Sequence, residues 1–67
     1  MIKTEILKNK IKQKGLKLNY ISDCIGISYY ALNLKIEGKN EFKPSEIQIL
    51  CKILDIKTSE RDKIFFT

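Results

Sequence analysis

Residues 16–38 read LKLNYISDCIGISYYALNLKIEG, and this stretch decides the fold. Ile21 and Ile25 stand four apart, the spacing of one helical face, and Gly26 follows at once. A glycine at that place can end a helix in the left-handed conformation. Ser28 can then cap the next helix by accepting a hydrogen bond from a free amide of its first turn. At 100° per residue, Leu32 and Ile36 face inward in that helix, and Ala31 lies at the edge. Tyr30, Asn33, Leu34 and Glu37 lie opposite, Tyr29 sits at the exposed amino-terminal turn, and Gly38 closes the segment. A turn this tight sets two helices at a steep angle and leaves the outer face of the second one open. Such a helix fits the roughly 12 Å major groove of B-DNA.

Working outward, residues 1–14 place Ile2, Ile6, Leu7 and Ile11 on one helical face, and Gly15 ends the pattern. Residues 39–43 read as a loop. Pro44 and Ser45 open a further helix that runs to about Leu54, and Ser45-Glu46-Ile47-Gln48 has the spacing of a capping box. Ser59 is the expected cap of a last short helix reaching Phe66. No alternating run is long enough for a strand, and there is no internal repeat or low-complexity linker. The pattern predicts an all-α fold, a compact bundle of five short helices, with residues 1–67 as a single domain.

The helix after Pro44 has an unusually wide apolar arc. Ile47, Leu50, Cys51 and Leu54 share one stripe, and Ile49, Ile53 and Ile56 lie beside it. Together they span roughly 220°, against roughly 100° for an ordinary surface helix. Either this helix is wrapped by its neighbours, or its second stripe meets a second subunit. The expected dimer interface is Ile49, Ile53, Ile56, Phe65 and Phe66, with the last two adding apolar surface at the carboxyl end.

Composition narrows the classes of function. A chain of 67 residues buries only about 60% of the surface its unfolded form exposes, so a partner would add needed stability. There is no His, which excludes a His-based acid–base site and a Cys/His zinc site. No cofactor or metal is expected. No apolar run approaches the roughly 20 residues that cross a bilayer, and residues 1–12 lack a signal-peptide core. Cys24 and Cys51 form no C-x-x-C pair and are expected to be free thiols of a reducing cytoplasm. Cys51 is expected to be buried and inert, and Cys24 half-exposed. The net charge of +5 lies wholly in residues 1–17, where six lysines meet Glu5 alone. Such a cluster can attract phosphates or simply coat a solvated helix.

Leu16, Ile21, the Ile25-Gly26-Ile27-Ser28 turn, Leu32, Gly38, Pro44-Ser45 and residues 50–56 resemble the Cro/CI-type (Xre) helix-turn-helix domain of phage and bacterial repressors. The resemblance covers roughly residues 6–56. It implies a lambda-repressor-like bundle that binds operator DNA as a symmetric homodimer and represses transcription by blocking polymerase. The short chain looks more like a Cro-like protein than a full repressor.

Carried over by position, Ser28, Tyr29, Tyr30, Asn33 and Leu34 would face the bases. Asn pairs with adenine through two hydrogen bonds, and Leu or Tyr can pack on a thymine methyl. No Arg stands here to read guanine, so the half-sites are expected to be A·T-rich. Amides of Lys17, Leu18 and Asn19 would hold a phosphate at the helix start, with Lys10, Lys39, Asn40 and Lys43 as side-chain partners. The sequence departs from the family where Lys17 replaces the usual Ser or Thr cap and Leu18 the usual Gln. A later helix start, with Asn19 as cap and Ser22 three residues on, is the alternative. Glu41 places a negative charge in a loop that is often basic, and Ile36 stands where a glutamate is common, with Glu37 next. The competing reading keeps the fold but makes the Tyr-Tyr, Leu34, Glu37 and Glu41 surface a protein-binding face, as in an antirepressor. An enzyme has little support, since no nucleophile stands beside a base and no Gly-rich phosphate loop occurs.

Overall fold

The structure, a computed structural model, describes residues 2–66. Five helices follow in the order α1 (Thr4–Lys14), α2 (Leu18–Ile25), α3 (Tyr29–Ile36), α4 (Pro44–Ile53) and α5 (Thr58–Phe65), with no strand among the described residues. The class is all-α, as the periodicity implies. No described helix is long and apolar enough to cross a membrane.

The boundaries have local causes. Gly26 takes φ +87°, and its amide donates to the Ser22 carbonyl at 2.8 Å, while that of Ile27 donates to the same oxygen at 3.1 Å. This left-handed step stops α2 and turns the chain within three residues into α3, a conformation a side chain would strain. Ser28 caps α3 as expected, its Oγ accepting from the Ala31 amide at 3.0 Å.

Two other caps differ from the sequence expectation. At α4 the N-cap is Lys43, whose amide donates to Glu46 Oε1 at 2.8 Å, and Ser45 lies inside the first turn. At α5 the N-cap is Lys57, whose amide donates to Glu60 Oε1 at 3.5 Å, and Ser59 does not cap. In both helices the position of a glutamate that reaches back to the cap amide sets the start, and the nearest hydroxyl does not. Pro44 fits the first position of α4 because no donor is needed there. The later start of α2 is also not adopted: the helix begins at Leu18, and the Ser22 hydroxyl donates to the Asn19 carbonyl at 2.9 Å inside it.

α2 packs on α3 and α4, and α1 packs on α3 and α5. Leu7, Ile21, Leu32, Leu50, Leu54 and Ile64 are fully buried at the centre. Each such side chain contributes about 1.5–3 kcal/mol relative to exposure. Ile6, expected on the inner face of α1, is exposed instead, because α1 turns Leu7 and Ile11 toward the core. Phe42 joins the core from the middle of a charged loop, and its ring meets Phe65 edge-on at 5.7 Å. The Lys3 amide donates to the Ile64 carbonyl at 2.7 Å, tying the amino end to α5.

This packing corrects the expected dimer surface. Ile56 and Phe65 are only 7% and 5% exposed and belong to the protomer's own core. Most of the wide apolar arc of α4 is covered by its neighbours, and Ile49 and Ile53 stay half-buried at its edge. Cys51 is also half-buried rather than sealed in, and burial pushes its thiol above the usual range.

Candidate nucleic-acid interface

The amino-terminal half of α3 is the most open helical surface of the molecule that carries aromatic rings. Leu32 and Ile36 anchor the helix from below. Above them Tyr30 is 72% exposed and Tyr29 is half exposed, flanked by the exposed Ser28 and the half-buried Asn33 and Leu34. The helical wheel assigns the inward Leu32 and Ile36 and the outward Tyr30 and Glu37 correctly, while Asn33 and Leu34, expected opposite the core, are half-buried. The five residues can offer a hydroxyl, a carboxamide, two phenols and an isobutyl group to one flat partner.

The start of α2 lies against the same helix. Leu18 and Asn33 line a shallow groove of about 280 Å³ together with Ile11, Ile36 and the polar Lys8, Lys12 and Glu37. Lys17 has extended backbone angles and no side chain caps the first turn of α2, so the leading amides of that helix have no side-chain partner. Beyond α3, the amides of Lys39 and Asn40 donate to the Leu34 carbonyl at 2.9 and 3.3 Å. These bonds fold the loop back, holding the exposed Lys39 and Asn40 at the carboxyl end of α3, with the exposed Lys43 further along at the start of α4.

Lys10 is placed differently from the expectation. Its ammonium is bound to Glu60 of α5 at 2.6 Å, so it is spent inside the protomer and stands apart from the groove. Hydrogen bonding from Lys10 holds the Glu60 carboxyl below the usual range. Lys8 is likewise bound to Glu37 at 2.6 Å, and Lys14 approaches Asp55 at 3.9 Å. The Lys8 contact lowers the Glu37 carboxyl and raises the Lys8 ammonium. Half of the six amino-terminal lysines thus face carboxylates from later in the chain, which linear charge counting cannot reveal. Lys12, not singled out from the sequence, lines the groove and has no carboxylate partner among the described residues.

Sequence reasoning also missed the pair that fixes the far end of α3. Lys35 Nζ meets Glu46 Oε1 at 2.6 Å, with side chains only 11% and 8% exposed. Burial raises the Glu46 carboxyl, but the Lys35 ammonium and the Lys43 amide outweigh it and leave the group below the usual range. The outer face of α3 consequently carries no free ammonium of its own. On α2, the neighbouring Cys24 thiol one turn on pushes the exposed Tyr20 hydroxyl above the usual range.

At the opposite end, Phe66 is 61% exposed, and the Arg61 guanidinium lies 5.8 Å from its ring centre. Phe66 borders an open groove of about 430 Å³ that also exposes edges of Ile2, Phe42 and Ile47. Of the expected dimer residues, Ile49, Ile53 and Phe66 keep accessible surface. The chain matches no protein-family model, no curated protein and no solved structure.

Proposed function

We propose that this chain is a sequence-specific DNA-binding transcriptional regulator of the Cro/CI type, acting in the cytoplasm as a homodimer. In this reading α2 and α3 form the helix-turn-helix, and each copy lays α3 into a major groove. Two copies reach successive grooves about 34 Å apart and occlude polymerase. The observation that carries the reading is the outward face of α3, where Ser28, Tyr29 and Tyr30 are exposed and Asn33 and Leu34 are half-buried beside them.

Asn33 supplies the one side chain able to make a bidentate contact with adenine, and the rings of Tyr29 and Tyr30 suit thymine methyl groups. Phosphates fall to the leading amides of α2 at Leu18 and Asn19, and to Lys17, Lys39, Asn40 and Lys43. Lys12 takes the place expected for Lys10. Dimer contact falls to Ile49, Ile53 and Phe66.

One observation favours a second reading. Lys35 is paired with Glu46 and Lys8 with Glu37, so the α3 face is nearly neutral. A neutral, tyrosine-bearing helix also suits a protein partner, as in an antirepressor. Titrating duplex DNA at rising salt separates the two. Each phosphate neutralised contributes a log–log slope of about −0.9, so a dimer touching four or more phosphates gives a slope of about −4 or steeper. Absence of DNA binding at low salt contradicts the regulator reading and leaves the protein-binding one.

A further inference from the structure

We infer that the largely buried Lys35–Glu46 pair is a positioning device that fixes the roll of α3 relative to the first turn of α4, rather than a support on which folding depends. The inference rests on the reading of α3 as the DNA-contacting helix.

α3 is only eight residues long, and two apolar anchors, Leu32 and Ile36, hold it one turn apart on a single line. Packing on α2 and α1 holds the inner face of α3, and the turn at Gly26 holds its amino-terminal end. The side-chain tethers at its carboxyl end are ion pairs. Glu37 reaches Lys8 of α1, but both side chains are more than 40% exposed. Such exposed pairs are screened by water and salt and hold geometry weakly.

Lys35–Glu46 differs in every respect. Glu46 is buried and the Lys35 side chain only 11% exposed, the separation is 2.6 Å, and Glu46 Oε1 is itself held by the Lys43 amide at 2.8 Å. The carboxylate is therefore fixed to the first turn of α4 before it meets the ammonium. The lysine must reach back from the last turn of α3 to that one point. A tether of this kind admits one roll angle of α3 and penalises others, because any rotation strands two charges away from water.

Buried pairs generally add little net stability over neutral groups of the same shape, while they can select one arrangement among several. That makes geometry and stability separable by experiment. Tyr29, Tyr30 and Asn33 lie up to two turns from the tether, so a small roll at Lys35 moves all of them across a base pair's edge.

The test compares wild type with Lys35→Met, Glu46→Gln and the double variant. Each single change leaves one buried charge unpaired and should destabilise the protein. Gln keeps an acceptor for the Lys43 amide, so the double variant should fold and melt close to wild type. Binding is measured against a duplex that the wild type selects and against a scrambled duplex of equal length. The double variant should lose about tenfold or more for the selected duplex, the size of one bidentate base contact, and little for the scrambled one. Its amide exchange should quicken in α3 and stay unchanged in α1 and α5.

A double variant with the wild-type ratio of selected to scrambled affinity overturns the inference. So does one that no longer folds, since the pair would then be a brace of the fold. If the wild type selects no duplex, the DNA reading fails on its own. The positioning claim is then decided by amide exchange, and unaltered α3 protection in the double variant refutes it.

Discussion

Tyr30 and Leu32 stand two residues apart on α3 with opposite surroundings, Tyr30 being 72% exposed and Leu32 fully buried. The change Tyr30→Ala therefore removes a ring that the fold barely uses. Its cost to stability should stay within about 0.5 kcal/mol, the range of surface substitutions. Its cost to DNA binding follows from the area the ring can still bury. A tyrosine offers roughly 150–250 Å² in all. At the observed exposure about 110–180 Å² remains free, and a groove that covers half of it gains about 1.3–2.3 kcal/mol at 25 cal/mol/Å². That is roughly tenfold or more in affinity for each copy of α3 and roughly a hundredfold or more for a dimer. Fluorescence anisotropy with a labelled duplex measures the loss, and circular dichroism melting of the same sample measures the fold. Tyr20→Ala is the control, since that ring is exposed on α2 and has no assigned base contact. A Tyr30→Ala protein that is folded and binds within twofold of wild type refutes the assignment of α3 as the reading helix.

Phe42→Ala should cost about 3–5 kcal/mol in urea denaturation, because it empties a core position and removes the edge-on partner of Phe65. Phe66→Ala, on an exposed ring, should cost under about 0.5 kcal/mol in the same assay and instead weaken self-association by sedimentation. Ser28→Ala removes the only side-chain hydroxyl that caps a helix among the described residues and should cost about 1 kcal/mol, lowering the melting temperature by roughly 4–8 °C. Glu46 is held below its unfolded pKa, so its contribution is fully present above the ordinary carboxyl range and is lost as pH falls through the folded value. Urea midpoints measured from pH 7 to pH 3 should fall accordingly, and Glu46→Gln should flatten that fall.

The helices were legible in the sequence because their apolar spacing and their glycines act locally. The turn at Gly26 and the cap at Ser28 need no tertiary context, and the buried face of α3 follows from a wheel. Helix starts were less legible where lysine amides pair with Glu46 and Glu60, since nothing about a lysine announces a cap. Phe42 stands alone among charged residues in a loop without period, so only the packing of α5 reveals it as core. Ile56 and Phe65 looked like spare apolar surface, yet the helices that cover them are distant in sequence. The same applies to charge. Lys8 and Lys10 read as free cations until α3 and α5 bring Glu37 and Glu60 to them. The tether between Lys35 and Glu46 joins residues eleven apart across a loop, beyond the reach of any helical pair rule.

Selection of binding sites from a pool of random duplex DNA tests the central claim most directly. The account predicts enrichment of paired A·T-rich half-sites whose centres lie about one helical turn apart, roughly 34 Å. A pool that stays random, or one that enriches G·C-rich sites, contradicts it.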